Sequence, residues 1–352
     1  MLGCLAMRKT LINFALLLFA MPAFALPEDG LVYQLKASVV KIRVILPNGH
    51  YGVGSGVVVA KDQVVTNCHV VAKAAAINVI KFGESFRASS IKADWQHDIC
   101  IVRFDGLNTE VAQIGSSKNL QYEQPVFTIS FPNNAPKPLA TYGFVKALYP
   151  MDNSVIIRST SDFRMGASGG AMFSDDGKLV GIITLKSPGR NAFYYNMPVE
   201  WIAQVQNQPE QAIPAIGAPP FWDALEENRP YFMRVVQPYQ TEDWPALLSL
   251  ATRWTEQEPA AIEAWYYRAV AEYKLKNIAE AIKHFNQVLA QNSRHTNALL
   301  YLALMDAENG NKEAALAKAT QLDALDVEAA NQVKVALGLP AKTEAQDCQA
   351  TC

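Results

Sequence analysis

A serine hydroxyl is a poor nucleophile near neutral pH, and one serine of this chain sits where that could change. Ser168 lies in "GASGG", residues 166–170. Gly166 can adopt backbone conformations that residues with a β-carbon resist, and Gly169 and Gly170 allow close chain approach behind the serine. To act, Ser168 needs a base to take its proton. Histidine suits that role because its usual pKa lies near working pH. A carboxylate must then hold the imidazole tautomer and stabilise the imidazolium. Donors must also point at the oxyanion of a tetrahedral intermediate, and the backbone N–H groups of Gly166 and Ser168 are the natural pair. Of the histidines, His50 lies by a hairpin turn, while His284 and His295 lie in helical sequence. That leaves His69 in "TNCHVV" and His97 in "HDICIV". Asp98 precedes the apolar run Ile99–Val102, which reads as a buried strand where an unpaired carboxylate is costly; Asp94 is the other candidate acid. Without such partners, "GASGG" is a glycine-rich turn between two strands.

The elements around these residues change character once along the chain. From about Ser38 to Pro198, short β-branched runs recur: Val39–Ile45, Val57–Val59, Val64–Val65, Ile99–Phe104, Val126–Ser130, Val155–Ile157 and Leu179–Thr184. Turn residues such as Pro47-Asn48-Gly49 separate them, as expected of a sandwich or barrel. His69 follows a strand ending at Thr66-Asn67 and begins a short helical turn. Residues 207–220, "NQPEQAIPAIGAPP", have no convincing period and read as a linker. Beyond them helical periodicity takes over. Ala264 and Ala298, Ala269 and Ala303, and Ala281 and Ala315 are each 34 residues apart. That is the tetratricopeptide (TPR) period. Small residues at 269 and 281 let helices approach, with Trp265 and Phe285 filling the space around them. A third unit upstream, with Tyr231, Trp244 and Pro259, is degenerate because of Pro238 and Leu247. Such units do not bury their faces alone. The degenerate unit must therefore cap the array, or the array must pack on the β-region.

In its three chemical motifs the chain resembles the trypsin-like serine peptidases, and in particular their bacterial HtrA/Deg-like branch. "TNCHVV" resembles that family's histidine motif, "HDICIV" its aspartate motif and "GASGG" its nucleophile motif, in the family's order, over roughly residues 30–205. The resemblance implies an all-β double β-barrel followed by an all-α TPR-type helical repeat domain. It implies His69 as base, Asp98 as acid and Ser168 as nucleophile, with Gly166 and Ser168 as the oxyanion hole. If these three meet, Cys68 and Cys100 lie near each other, either as a disulfide tying the histidine and aspartate segments or as free buried thiols. A zinc site there would consume the base. Cleavage-activated trypsin-like enzymes carry an aspartate just before the serine to receive a new amino terminus; here that residue is Ala167, so that ion pair cannot form. By the same resemblance Ile183, Thr184, Leu185 and Lys186 wall the substrate pocket. Asp162 stands at the spacing where trypsin has its basic-residue selector, or is simply an exposed loop aspartate. Lys186 opposes the first option.

Export is expected from the N-terminus. Arg8 and Lys9 precede an apolar stretch, Leu11 to Met21, and Ala23-Phe24-Ala25 forms an A-x-A cleavage pattern. An uncleaved anchor is the alternative. Beyond this segment no run approaches the ~20 apolar residues of a membrane span. Export brings an oxidising compartment. Cleavage would leave Cys68, Cys100, Cys348 and Cys352, and the last two could close a small loop in the terminal tail. The division expected is signal peptide 1–25, peptidase domain 26–206, linker 207–220, helical repeats 221–335 and tail 336–352. A net charge of -2 gives no footprint for nucleic acid or an anionic membrane. The expectation is a periplasmic or secreted serine endopeptidase that needs no metal or cofactor, cleaves protein or peptide substrates and recruits a partner protein through its repeats. A catalytically idle adaptor on the same fold, or an esterase using the same triad, are the alternatives.

Overall fold

A computed structural model of the chain describes residues 27–341, apart from Phe82 and Arg190. The expected signal segment, Cys348 and Cys352 lie outside the described residues. A short helix, α1 (Asp29–Leu35), leads into six strands: β1 (Val39–Ile45), β2 (Tyr51–Ala60), β3 (Gln63–Thr66), β4 (Ala76–Lys81), β5 (Glu84–Asp94) and β6 (Ile99–Phe104). A single helical turn, α2 (Cys68–Val71), follows β3. Six more strands follow: β7 (Pro125–Ser130), β8 (Leu139–Met151), β9 (Ser154–Ser159), β10 (Ala171–Ser174), β11 (Leu179–Lys186) and β12 (Tyr194–Pro198).

Each set of six closes into a barrel. The first runs β1-β2-β3-β6-β5-β4, and the second repeats that order as β7-β8-β9-β12-β11-β10. Closure comes from β1 pairing with β4 (Lys41 opposite Ile80) and β7 with β10 (Ile129 opposite Ala171). Closure removes the exposed edges that open sheets leave. The expected β-branched runs form strands, and two of them, Val39–Ile45 and Ile99–Phe104, coincide with β1 and β6. β4, β5, β8, β10 and β12 were not signalled by such runs. β5 and β8 expose alternate residues to solvent, so polar side chains dilute their signal.

The helical part begins with α3 (Glu200–Gln206), against the first barrel. It resumes with α4 (Tyr231–Arg234), α5 (Val236–Gln240) and α6 (Trp244–Gln257). Pro238 cannot donate to a carbonyl four residues back, and what would be one first helix of a repeat is broken into α4 and α5. Two helical hairpins follow, α7 (Ile262–Lys274) with α8 (Ile278–Gln291) and α9 (Thr296–Glu308) with α10 (Lys312–Asp323), and α11 (Val327–Ala336) covers the end. Ala269, Ala281, Ala303 and Ala315 are fully buried, as the close approach of paired helices requires.

The helices also pack on the second barrel, so both ways of burying their faces are used. Phe232 stacks on Tyr149, ring centroids 4.4 Å apart, and one apolar core runs from the second barrel through α4 to α9. Residues 207–220 contain no helix and are bonded along the first barrel. Gln211 bridges Ile91, and the Ala215 carbonyl accepts from the Lys73 N–H at 3.0 Å.

Candidate active site

The two barrels meet at Gly54-Ser55-Gly56 in β2. A β-carbon on Gly54 would press on the Val70 side chain and lie 3.3 Å from the Ser168 carbonyl oxygen. The α2 turn and the "GASGG" loop therefore converge on one glycine. Ser55, fully buried, fastens that loop to the first barrel. Its N–H donates to the Ser168 carbonyl (2.8 Å) and its hydroxyl donates to the Gly166 carbonyl (2.8 Å). The same hydroxyl accepts from the Phe131 N–H (2.9 Å).

His69 and Asp98 come from the first barrel. His69 Nδ1 lies 2.6 Å from Asp98 Oδ2, and the His69 N–H donates to Asp98 Oδ1 at 2.8 Å. The carboxylate thus holds both ring and backbone. Asp98 is wholly buried, whereas the His69 side chain keeps 31% of its exposure. A proton on Nδ1 facing Asp98 leaves the Nε2 lone pair free, and among the described residues Nε2 has no hydrogen-bond partner. Asp98 closes the turn before β6 with φ of 60°, a left-handed conformation that aspartate tolerates better than most residues. Asn67 braces the turn, donating to the Asp98 carbonyl (3.0 Å) and to Thr184 Oγ1 (3.0 Å). A disulfide joins Cys68 to Cys100, tying α2 to β6 on either side of this pair. Closing a loop of 32 residues stabilises the fold by about 3.7 kcal/mol in the chain-entropy account.

The competing pair from the sequence also exists. His97 Nδ1 lies 2.6 Å from Asp94 Oδ2, but its Nε2 is taken by Asp152 Oδ2 at 2.8 Å. Its ring stacks on Trp201 at 4.0 Å. With both nitrogens engaged, His97 has no lone pair to offer a serine, and it bridges the two barrels instead.

Ser168 comes from the second barrel, between β9 and β10. Its hydroxyl donates to the Thr184 carbonyl at 3.2 Å, and among the described hydrogen bonds none joins it to His69. Thr184 interrupts the pairing of β11 with β12: Ile183 faces Asn196 and Leu185 faces Tyr195, which leaves Thr184 unpaired. Such a bulge re-aims a residue beside a site. The Met165 carbonyl accepts from the Asn133 N–H at 2.6 Å. Because a trans peptide directs its C=O and N–H oppositely, the Gly166 N–H points away from Asn133. Among the described residues neither the Gly166 nor the Ser168 N–H has a protein acceptor. Gly166 holds φ of 87°, and a β-carbon there would lie 2.8 Å from the Phe131 carbonyl oxygen.

Of the expected pocket residues, Ile183 is fully buried and packs with Phe163, Ala167 and Tyr194. Leu185 is half-buried and Lys186 exposed. Asp162 is exposed too, while Phe163 next to it turns inward. Burial, with the Asp162 carboxylate second, pushes the Tyr194 phenol pKa up, so these two groups are neighbours. Sequence reasoning assigned no role to Ser55 or Trp222. Gly-Ser-Gly in a strand was the available signal for Ser55. Nothing local signalled Trp222, whose indole N–H reaches Asp98 Oδ2 at 3.2 Å.

Comparison with known proteins agrees with this architecture. Residues 54–182 match the family model of the trypsin-like peptidase domain, and residues 262–295 that of the tetratricopeptide repeat. The chain is 29% identical over 164 residues to a "Probable periplasmic serine endoprotease DegP-like" of Halomonas elongata. It is 31% identical over 164 residues to a protein of the same description from Pseudomonas fluorescens. Each alignment covers 44% of this chain and 34% of the relative. The chain thus spans about a third of the length of the curated relatives it matches. Among solved structures, a protease from M. tuberculosis in its active form aligns with TM-score 0.49 and 19% identity, over 62% of this chain and 99% of that one. The serine endoprotease from Yersinia pestis aligns with TM-score 0.45 and 24% identity, over 50% and 64%. The chain therefore carries a trypsin-like peptidase domain, folded as two closed six-stranded barrels, followed by a helical region with a TPR repeat. No helix of the described residues is long and apolar enough to cross a membrane.

Proposed function

We propose that the chain is an exported serine endopeptidase in which Ser168 is the nucleophile, His69 the general base and Asp98 the orienting carboxylate. The observation that carries this reading is the 2.6 Å His69–Asp98 contact with Nε2 left free, across from a serine loop whose Gly166 and Ser168 N–H groups are unused. A rotation about the Ser168 side-chain bond exchanges the Thr184 carbonyl for His69 Nε2. Ser168 Oγ then attacks the substrate carbonyl carbon as its proton passes to Nε2. The two N–H groups stabilise the oxyanion. Collapse of the intermediate breaks the C–N bond, His69 returns the proton to the leaving amine, and an acyl-enzyme remains. Water, deprotonated by His69, releases the acid and restores Ser168.

Ile183, Thr184 and Leu185 form the wall along which the substrate lies. The exposed Asp162 meets a basic side chain only at a solvated position, where a charge contact is weak. The repeats recruit a partner protein. The descriptions of the Halomonas and Pseudomonas relatives favour a periplasmic setting. One finding favours a second reading, an idle adaptor: the Ser168 hydroxyl rests on Thr184 rather than on His69. A fluorophosphonate probe separates the two. The purified chain is expected to be labelled covalently and Ser168→Ala not at all; a folded chain that resists the probe supports the adaptor.

A further inference from the structure

Asp98 Oδ2 has a second donor that lies beyond residue 182, where the match to the peptidase family model ends. Trp222 Nε1 donates to it at 3.2 Å, and the indole meets the His69 ring edge-on with centroids 5.4 Å apart. The donor and the carboxylate are 124 residues apart in sequence. No other contact of the described residues accounts for an indole from the entry to the helical region entering this site.

The segment that delivers Trp222 is fixed at both ends. Upstream, Gly217 lies flat against the Trp95 ring, leaving no room for a β-carbon. The Phe221 N–H donates to the Gln96 carbonyl at 3.0 Å, and Phe221 is buried. Trp95 and Gln96 belong to the same turn as Asp98. Downstream, Phe232 is anchored on Tyr149 and Tyr195 of the second barrel. The strap thus grips the turn that carries the acid and is held in place by the helices.

We propose that Trp222 is a positioning residue of the triad, supplied by the strap, so that the paired barrels alone form an incomplete active site. The inference rests on the reading of His69, Asp98 and Ser168 as a triad. A buried carboxylate left short of a donor rotates or recruits water. With Trp222 in place, both lone-pair faces of Oδ2 are occupied and the His69 ring is confined from one side. Hydrogen bonds to charged groups are among the strong ones, so losing this donor should slow the chemistry about ten- to a hundredfold.

The test uses the full chain as wild type, Trp222→Phe and Ser168→Ala. Two quantities are read: the rate constant of fluorophosphonate labelling, and the downfield proton resonance of His69 Nδ1–H. Trp222→Phe keeps an aromatic ring and is expected to label about ten- to a hundredfold more slowly, with the resonance shifted and broadened by solvent exchange. Ser168→Ala is expected to keep the wild-type resonance with no labelling. Should Trp222→Phe fail to fold, β-(3-benzothienyl)alanine at position 222 keeps the bicyclic shape without the N–H, and the same two changes are expected. Wild-type labelling and an unmoved resonance in a folded position-222 variant would overturn the inference and leave the triad reading intact. A wild-type chain that is folded but unlabelled overturns the triad reading itself, and this inference with it.

Discussion

Gly166 is a position in the nucleophile loop where a β-carbon is not tolerated. Its φ of 87° is a conformation that a β-carbon resists, and such a carbon would also meet the Phe131 carbonyl. Both neighbouring carbonyls are already committed, that of Met165 to Asn133 and that of Gly166 to Ser55. Gly166→Ala can relieve its strain only by turning the 165–166 peptide, which removes the Gly166 N–H from the proposed oxyanion hole. Loss of one such donor lowers turnover about 10²- to 10³-fold. The variant is expected to stay folded, less stable by about 1 kcal/mol for the lost Met165–Asn133 bond, while its labelling rate falls by that much larger factor. A labelling rate that falls only in step with the folded fraction would mean that the glycine serves folding alone.

At the scale of elements, the turn between β5 and β6 serves the site twice. Its last residue, Asp98, faces His69, while Asp94 and His97 join Asp152 across the barrel interface. Burial opposes the charge on His97, but its hydrogen bonds to Asp94 and Asp152 outweigh this and its pKa is raised. Burial likewise pushes Asp94 up, and the bond to His97 outweighs it, so its pKa is lowered. The signs give two windows. The His97 contribution is complete below about pH 6.5, the unfolded value, and fades as pH rises through the raised folded value. The Asp94 contribution is complete above about pH 3.9 and fades as pH falls through its lowered folded value. Asp152 is 59% exposed, so solvent screens its share. His97→Phe keeps the stack on Trp201 and abolishes both bonds. Urea midpoints are expected to fall between pH 6 and 8 in the wild type and to stay level in the variant, which starts lower. Equal slopes would remove His97 from the account.

For the whole molecule, a buried ionic group joins the second barrel to the helices. Arg158 of β9 lies 3.8 Å from Glu263 of α7, with 7% and 2% side-chain exposure. Arg158 Nη1 also donates to the Tyr267 hydroxyl (2.9 Å), while Glu263 accepts from the Tyr122 hydroxyl (2.9 Å) and lies 3.1 Å from His295 Nε2. Burial opposes the charge on Glu263, yet Arg158 and His295 hold its carboxyl below the usual range. Removing one member leaves the other charged and enclosed. Arg158→Met is therefore expected to cost about 3–5 kcal/mol in chemical denaturation, and Arg158→Met with Glu263→Gln to recover part of it. A single cooperative transition for both parts is the accompanying expectation, because one apolar core crosses their boundary.

What the sequence determined by itself is what short range controls. β-Branched runs formed strands, alanines 34 residues apart marked facing helices, and three motifs in order named a small set of reactive side chains. What it left open depended on distant partners. Two histidines each found an aspartate at 2.6 Å, and only Asp152, brought from the second barrel, separates the engaged His97 from the free His69. Cys68 and Cys100 were a disulfide or two thiols until β3 paired with β6. Ser55 and Trp222 act on groups 111 and 124 residues away. Hydrogen bonds are satisfied wherever the folded chain brings donor to acceptor, and closure of the two barrels, with the helices docked on the second, made those meetings.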